Sequence, residues 1–567
     1  MTETTLASTM PLPFVIEEKS SSRPASPQTG PETEIPRDWR FWCIILSLAI
    51  CMLLTAIEFT ALGTALPVIV QDLNGDEFVW VGSAYTLGST ALIPFCGGLA
   101  QVGSWLQILS AMLIFLQIFG RRIVVLSAIG LFSIGSALCG AATDMNFLIG
   151  GRTIQGLGAG AITALIQIII ADLVPLKERG AFNGVMALAW GIGGGSGPVI
   201  GGSLAERGQW RWLFYMNLPI CGLATILVTI FLQLKTPKAP LGEKLKHMDW
   251  IGNLLIVAST TSVVIALTWA GIKFPWSSAK VLVPLILGLL GLTAFIAYEA
   301  TIAEYPIVPI SLLDSRTALS GYVQNFFNGI VLSTLAYWLS VYFQACKDAG
   351  PTAAGVDGFG LSYTISPSCL LAGIIVQKTA RYRQPMWIGW ALMIMGSALL
   401  GTLDEDSSRA TCYGFQALVG IGMGIIYVTA YFPVLAPIPV SQSAPALAFF
   451  TFLRNFALIW GITIGGTVLQ NQLTTRLPSA FLAEFPGGTQ IAFEVIPSVR
   501  NLPQPLKDEV RHAFAASLQV LWNVLSGISG LGLLVSLLME HLPLHTSVDA
   551  NWGRDHVPNV NKHTLSS

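Results

Sequence analysis

Long apolar runs, separated by short polar segments, repeat along most of the chain. A helix that crosses a bilayer needs about 20 mainly apolar residues, because each residue adds only about 1.5 Å of length. Fourteen runs meet this description, and we number them as spans 1 to 14. Their approximate limits are 41–66, 79–100, 122–143, 147–171, 181–204, 212–234, 250–271, 280–300, 318–343, 358–377, 385–402, 410–432, 445–470 and 516–539. The pattern predicts an all-α polytopic membrane protein with 14 transmembrane helices.

Basic residues are concentrated in the loops that would lie on one side of the membrane. They follow spans 2, 4, 6 and 10, as Arg121, Arg122, Lys177, Arg179, Lys235, Lys238, Lys244, Lys246, Lys378, Arg381 and Arg383. Short loops rich in Lys and Arg face the cytosol. An even number of spans then places both ends of the chain in the cytosol, as a disordered polar tail at 1–40 and a second tail at 541–567. The polar segment 471–513 is predicted to lie outside.

Composition excludes several classes of protein. Hydrophobic residues make up 53% of the chain and charged residues 11%, and the mean hydropathy is +0.65. A soluble globular protein has roughly 25% charged residues, so this chain requires a lipid bilayer around it. The formal net charge of -1 argues against a nucleic-acid partner, which would need a basic surface. The eight cysteines are scattered through apolar runs and are expected to be free thiols.

Neither ATP-driven transport nor enzymatic chemistry has a motif in this sequence. No Gly-x-x-x-x-Gly-Lys-Ser/Thr phosphate-binding loop occurs. All six histidines fall outside the spans, and no cluster of histidines and carboxylates is spaced to bind a metal inside the membrane. We therefore expect no enzyme activity, no metal and no cofactor.

An internal repeat relates the two ends of the membrane region. Gln155 and the glycines after it in span 4 resemble Gln416 and the glycines after it in span 12. Trp190-Gly191-Ile192 in span 5 matches Trp460-Gly461-Ile462 in span 13. Parallel repeats of this kind are typical of transporters that rock two halves around a central site. The repeat predicts a six-helix half at 41–234, two linking helices at 235–310 and a second six-helix half at 311–540.

Span 5 is unusually rich in glycine. Small residues recur at even and fourfold spacings around one proline, as Gly191, Gly193, Gly195, Gly197, Pro198, Gly201 and Gly202. Small residues four positions apart let two helix backbones approach closely, and a proline inside a helix bends it. The segment is therefore predicted to pack tightly against a neighbouring helix.

Four motifs resemble one known family. The stretch from Gly191 to Gly202 reads GIGGGSGPVIGG and looks like the antiporter motif in span 5 of the major facilitator superfamily, and Arg152 to Gly160 reads RTIQGLGAG and resembles its span-4 motif. The segments at 210–219 and 249–252 are similar to the starts of its spans 6 and 7. Together with 14 spans, these motifs resemble the 14-span drug:proton antiporter family in its fungal form.

The resemblance implies the major facilitator fold and a function. It implies export of a small amphipathic compound, such as a toxin, secondary metabolite or drug, in exchange for protons, by a monomer in the cell membrane. Within the same fold, a proton-coupled importer of a siderophore or nutrient is the alternative, although the span-5 motif favours export. A membrane enzyme or a sensor that transports nothing is the alternative from another class.

Charged residues deep inside the spans are few. An ionised side chain at mid-bilayer costs about 2.5–3.5 kcal/mol on insertion scales, so each one needs a reason. Glu58 in span 1 stands where the family usually has Asp, and both it and Arg152 lie in the outer halves of their spans. They are predicted to face each other as a proton-coupling pair, although a purely structural ion pair is equally compatible. Gln155, Arg454 and Asn455 are candidate substrate contacts.

The loop after span 2 departs from the superfamily pattern. That pattern would join Gly98 almost directly to Gly120, Arg121 and Arg122 as a gating loop, but residues 102–117 intervene and Gln101 replaces the usual acid. The 16 residues from Val102 to Gln117 have no charge, and they are too short to span comfortably and too apolar for the cytosol. We interpret 102–117 as an anomalous insertion, most simply a retained intron. A real extension of span 2 or a surface helix is the alternative.

Overall fold

A computed structural model describes residues 38–73, 78–91, 121–233, 249–270, 274–303, 310–484 and 499–544, with the single residues 93, 306 and 308. Apart from one isolated bridge between Ala270 and Phe274, all regular secondary structure in these ranges is helical. The predicted all-α fold class is confirmed. Most of the N-terminal tail, Gly98, the segment 102–117, Gly120 and most of the C-terminal tail lie outside the described residues.

Each predicted span coincides with a helix, and most boundaries agree within a few residues. The helices of spans 1 to 7 are Trp39–Leu73, Phe78–Ala91, Arg121–Gly140, Met145–Leu173, Leu176–Glu206, Trp212–Tyr215 continued by Asn217–Phe231, and Trp250–Trp269. Those of spans 8 to 14 are Ala279–Thr301, Arg316–Cys346, Phe359–Thr379, Arg383–Leu400, Arg409–Thr429, Ser443–Arg476 and Leu506–Ser536. Short helices at Pro351–Asp357, Tyr431–Leu435 and Ser479–Glu484 lie between them.

Eleven helices in the described ranges are long and apolar enough to cross a membrane. The helices of spans 2, 5 and 11 are not among them. Phe78–Ala91 has 14 described residues, and the many glycines of Leu176–Glu206 reduce its hydropathy. Arg383–Leu400 has 18 residues and begins with Arg383 and Gln384, which lower its hydropathy. A multi-pass helical membrane protein is confirmed, and the count of 14 stays a prediction.

Polar residues just before the helices fix several starts. Asp144 accepts a hydrogen bond from the Phe147 amide, and Asp249 accepts one from the Gly252 amide. Ser315 and Ser408 cap the helices of spans 9 and 12 in the same way. Such side chains satisfy backbone N–H groups that have no partner within the helix. The local sequence therefore places these helix ends without help from distant residues.

Span 7 lies against one helix from each predicted half. The Trp269 ring makes an edge contact with Trp80 of span 2, at 6.1 Å between centroids. Thr463 of span 13 donates a hydrogen bond of 3.3 Å to the Leu267 carbonyl. Val263 and Val264 add apolar packing in the same cluster. The linking helix therefore bridges spans 2 and 13, whereas the division into two halves stays a prediction.

Candidate proton-coupling site

Glu58 lies on the helix of span 1 and has no exposed surface. Arg152 on span 4 is also buried, and its Nη1 forms an ion pair with Glu58 Oε1. The same nitrogen donates to Gln155 Oε1 at 2.8 Å, and Arg152 Nε donates to the Val81 carbonyl at 3.1 Å. The arginine is thus held by spans 1, 2 and 4 together. Glu58 and Arg152 are therefore in direct contact, whereas their role as a proton-coupling pair stays a prediction.

The second oxygen of Glu58 has its own partner. Asn217 Nδ2 donates to Glu58 Oε2 at 2.5 Å and lies 3.4 Å from Ser136 Oγ. Gln155 Nε2 donates to the same Ser136 oxygen at 2.7 Å. Asn217 is positioned by a break in span 6, because it begins the second helical segment of that span. A polar network of five buried side chains therefore links spans 1, 3, 4 and 6.

Aromatic rings cover the arginine of this network. The guanidinium of Arg152 lies 4.4 Å from the centroid of Tyr85 and 5.9 Å from that of Phe214. Cation–π attraction is strongest where water is excluded, and both rings are buried. The network is consequently a buried ionic site, in which protonation of Glu58 would weaken its own contacts with Arg152 and Asn217.

Glycine makes this arrangement possible at two positions. A Cβ added to Gly156 would collide with the Tyr85 backbone, and one added to Gly135 would collide with Gln155 at 2.5 Å from its Cα. Spans 2 and 3 can therefore approach span 4 only because these residues have no side chain. Gly156 belongs to the span-4 motif, so part of that motif serves to hold Tyr85 over Arg152.

Sequence reasoning found two members of the network and missed the roles of the others. Gln155, proposed as a substrate contact, is buried, and both ends of its amide bind Arg152 and Ser136. Ser136 and Tyr85 carried no signal of their own in the sequence. Asn217 stood out only as part of a motif, without a predicted partner. Any role of this network in proton coupling stays a prediction.

The glycines of span 5 form two contact faces. Gly193, Gly197 and Gly201 face span 1, where added Cβ atoms would meet the Leu53, Ile57 and Ala61 carbonyls. Gly184, Gly191, Gly195 and Gly202 face Leu370, Ser366, Tyr363 and Thr352, in span 10 or just before it. Pro198 lies between the faces, and its carbonyl accepts a hydrogen bond of 3.1 Å from Thr64. The segment thus packs closely against two helices rather than one.

The predicted gating residues that are described lie in a helix rather than in a loop. Arg121 and Arg122 form the first turn of Arg121–Gly140. Arg121 is buried, and its Nε lies 2.9 Å from Asp172 Oδ2 at the end of span 4. Arg179 is also buried and donates to the Val174 and Ala171 carbonyls at 2.7 Å each. Asp172 was not singled out from the sequence, because it lies just past the predicted end of its span.

The two candidate contacts of span 13, Arg454 and Asn455, are neighbours on the same helix. Arg454 is half-buried and donates from Nε to Asn325 Oδ1 at 2.8 Å and from Nη2 to the Tyr427 carbonyl at 3.2 Å. Asn455 is half-buried as well.

Within the described ranges, no group of three or more His, Cys, Asp or Glu residues is arranged to bind a metal ion.

Comparison with known proteins identifies the family. The sequence profile described as Major Facilitator Superfamily matches residues 48–462. The chain belongs to the Major Facilitator Superfamily. Membership makes it a membrane transporter and not an enzyme, and it confirms the resemblance of the span-4 and span-5 motifs.

Fungal members of the superfamily are similar over almost the whole chain. The MFS-type efflux pump LUC4 of a Fusarium species is 35% identical, with 94% of this chain and 92% of the relative covered. The efflux pump FUS6 of Gibberella fujikuroi is also 35% identical, with 96% of each chain covered. The acurin A biosynthesis cluster MFS-type transporter of Aspergillus aculeatus is 35% identical, covering 91% of this chain and 92% of the relative.

A solved structure shares the superfamily fold. The crystal structure of the human organic anion transporter MFSD10 (TETRAN) matches with a TM-score of 0.54 and covers 87% of this chain and 99% of its own. The two sequences are 13% identical, so the likeness concerns the fold alone. It agrees with the helical architecture that the apolar runs predict.

Proposed function

We propose that this transporter exports a small amphipathic organic compound, such as a toxin, secondary metabolite or drug, from the cytosol in exchange for protons. Two of the similar fungal proteins are named efflux pumps, and a third is named for a biosynthesis cluster. Each of these relatives is similar over more than nine-tenths of its length, so whole-protein similarity supports export.

The buried contact between Glu58 and Arg152 carries the proposal of proton exchange. Only three charged residues lie more than three positions inside the limits of a span, and Glu58 is the only acid among them. Protonating Glu58 would remove the charge to which Arg152 is bound. Protonation and the position of span 4 relative to span 1 are therefore coupled, which is what alternating access requires.

In the proposed cycle, protons cross the membrane through Glu58 as the compound is exported. The proton binds to a carboxylate oxygen of Glu58 when the site is open to the outside. Arg152 then loosens from Glu58 while remaining bound to Gln155 and the Val81 carbonyl. Release of the proton to the cytosol restores the ion pair. No covalent step and no cofactor is needed.

The direct test uses the purified protein in proteoliposomes, with an imposed pH gradient. A panel of amphipathic fluorescent compounds is first screened for protein-dependent accumulation in cells with and without the protein. For any compound transported, Glu58→Gln should abolish the response to the gradient, whereas the exposed Asp314→Asn should leave it unchanged. Undiminished gradient-driven antiport in Glu58→Gln would contradict the proposal. Movement of compound in the same direction as protons would favour the importer.

The location and the working unit are part of the proposal. The basic loops support a cytosolic position for both termini, since short loops rich in Lys and Arg face the cytosol. We place the protein in the plasma membrane rather than the vacuole, working as a monomer. Fluorescent fusion at either end, with protease protection, tests the topology, and single-molecule photobleaching tests the monomer.

A further inference from the structure

Arg454 is the third charge inside the spans, and it differs from Arg152 in its partners. Its two hydrogen-bond acceptors among the described residues, Asn325 Oδ1 and the Tyr427 carbonyl, are both neutral. Among the described residues no carboxylate forms an ion pair with it, although the N-terminal half pairs its own arginine with Glu58. The charges of Glu58 and Arg152 cancel, which leaves one uncompensated positive charge inside the second half.

The position of this guanidinium is fixed by three helices. Asn325 of span 9 is fully buried and is itself held, because its Nδ2 donates to the Phe450 carbonyl at 2.7 Å. The guanidinium lies 3.8 Å from the ring centroid of Tyr427 in span 12 and 4.8 Å from that of Phe450 in span 13. Side chains already held in place bind a ligand without further ordering.

One N–H group of the guanidinium, Nη1, remains available to bind a ligand. Nε and Nη2 are occupied, whereas Nη1 makes no hydrogen bond with any residue that the structure describes. Nη1 is also not enclosed by the protein, so it is open to a ligand or solvent. A planar, permanently charged donor next to aromatic rings suits a carboxylate attached to an apolar body.

We propose that Arg454 binds the carboxylate of the exported compound, and that the substrates are amphipathic organic acids. This proposal rests on the proposed function and names its substrate class. Keeping an unpaired cation inside a span costs about 2.5–3.5 kcal/mol. A substrate anion offsets that cost when it binds, while the half-buried ring of Tyr427 contacts its apolar part.

The depth of Arg454 agrees with loading from the cytosol. Arg454 lies 11 residues after Ser443, the first residue of its helix, or about 16 Å along the axis at about 1.5 Å per residue. With the proposed orientation, span 13 runs outward from the cytosol. Arg454 therefore lies in the cytosolic half of the membrane, where an exporter first meets its substrate, and Glu58 lies in the outer half.

Binding of paired compounds to the purified full-length protein tests the proposal. We would measure pyrenebutyrate against pyrenebutanamide, and naphthylacetate against naphthylacetamide, because each pair differs only in charge and one polar group. Wild type should bind each acid about tenfold more tightly than its amide, which corresponds to a difference of about 1.4 kcal/mol in binding free energy. Arg454→Gln should reduce acid binding to the level of the amide, and Arg454→Lys should retain part of the preference.

Arg476→Gln is the matched control, because Arg476 is exposed at the far end of the same helix. It should bind both acids as wild type does. Equal binding of acid and amide by wild type would overturn the proposal, as would a preference that survives in Arg454→Gln. If Arg454→Gln does not fold, the acid-over-amide preference of wild type and its reduction in Arg454→Lys still test the proposal.

Failure of this proposal is distinguishable from failure of the proposed function. Glu58→Gln should retain the preference for acids, since Glu58 and Arg454 share no described contact. Proton-driven export of amides without any preference for acids would overturn the role of Arg454 and leave proton exchange standing. If acid binding depends on Arg454 but transport does not respond to a pH gradient, proton exchange would be wrong and the role of Arg454 would stand.

Discussion

Asn217 donates a hydrogen bond of 2.5 Å to Glu58 Oε2 and joins span 6 to span 1 inside the membrane. The other carboxylate oxygen binds Arg152 of span 4. Each oxygen of Glu58 is thus held by a different helix. Protonation of Glu58 would remove its charge and weaken both contacts at once. A single proton would therefore loosen the connections between spans 1, 4 and 6.

Replacing Asn217 should impair transport without removing the proton-binding group. A hydrogen bond to a charged group is worth about 1.5–3 kcal/mol, so Asn217→Leu should lower gradient-driven transport by roughly 10- to 100-fold. The exposed Asn523→Leu of span 14 is the control. Wild-type rates in Asn217→Leu would show that the amide is dispensable.

Glu58 and Arg152 should be energetically coupled. Removing one partner leaves the other charge buried without compensation, which costs about 3–5 kcal/mol. We expect Glu58→Gln and Arg152→Gln each to lower the thermal unfolding midpoint of the detergent-solubilised protein. The double variant should lose less than the sum of the two, by about 0.5–3 kcal/mol. Strictly additive losses would mean that the contact contributes nothing.

The two glycine faces of span 5 should respond differently to added bulk. Gly197→Leu would displace Thr60 and the Ile57 carbonyl of span 1, so we expect lower thermal stability and lost transport. Gly184→Leu would displace the Leu370 backbone of span 10. Because spans 5 and 10 belong to different predicted halves, it should slow transport more than it lowers stability.

Gly130→Leu is the matched control for both glycine variants, because a Cβ at Gly130 meets nothing within 4 Å. It should leave both the unfolding midpoint and transport close to wild type. Identical profiles for Gly197→Leu and Gly184→Leu would contradict the assignment of separate roles to the two faces.

Asp72 should contribute a small, pH-dependent stabilisation at the end of span 1. Hydrogen bonds from Trp210 and Arg211, each 3.0 Å long, lower the pKa of the Asp72 carboxyl from its usual range. Because the pKa is lower in the folded state, the ionised carboxyl stabilises the folded protein at pH values above the unfolded-state pKa of about 3.9. This stabilisation is lost as the pH falls through the folded-state pKa.

We therefore expect Asp72→Asn to lower the unfolding midpoint at neutral pH and to have little effect in strong acid. The group is exposed, so the difference should stay below about 1 kcal/mol. Unfolding scans of both proteins across the acid range would measure it. A difference that does not change with pH would rule out titration of Asp72 as its source.

Residues 102–117 give a prediction about the gene. A valine codon begins with GT and a glutamine codon can end in AG, so both splice signals fit the edges of this segment, and sixteen codons keep the reading frame. We expect the dominant transcript to lack the codons for these residues and its product to transport, whereas the form that contains residues 102–117 should be inactive. A dominant transcript that encodes 102–117 and yields a working transporter would end the idea.

The sequence by itself determined the membrane class, the positions of the helices and the family. Apolar runs mark helices because a bilayer offers backbone groups no other partner, and Asp144 and Asp249 mark helix starts through local hydrogen bonds. Glu58, Arg152 and Arg454 stood out because charge is rare inside a membrane span. These are local properties, which one stretch of chain can show without its neighbours.

Only the tertiary structure decided which further side chains meet the predicted residues. Asn217 lies 159 positions from Glu58 and had no predicted partner, and Asp172 was recognised only beside Arg121. Such contacts depend on how each helix is rotated about its own axis. A span that is apolar on every side has too weak a periodicity to specify that rotation. The packing of glycine faces against neighbouring helices sets this rotation. It thereby also decides that Arg152 meets a carboxylate, whereas Arg454 meets only neutral acceptors among the described residues.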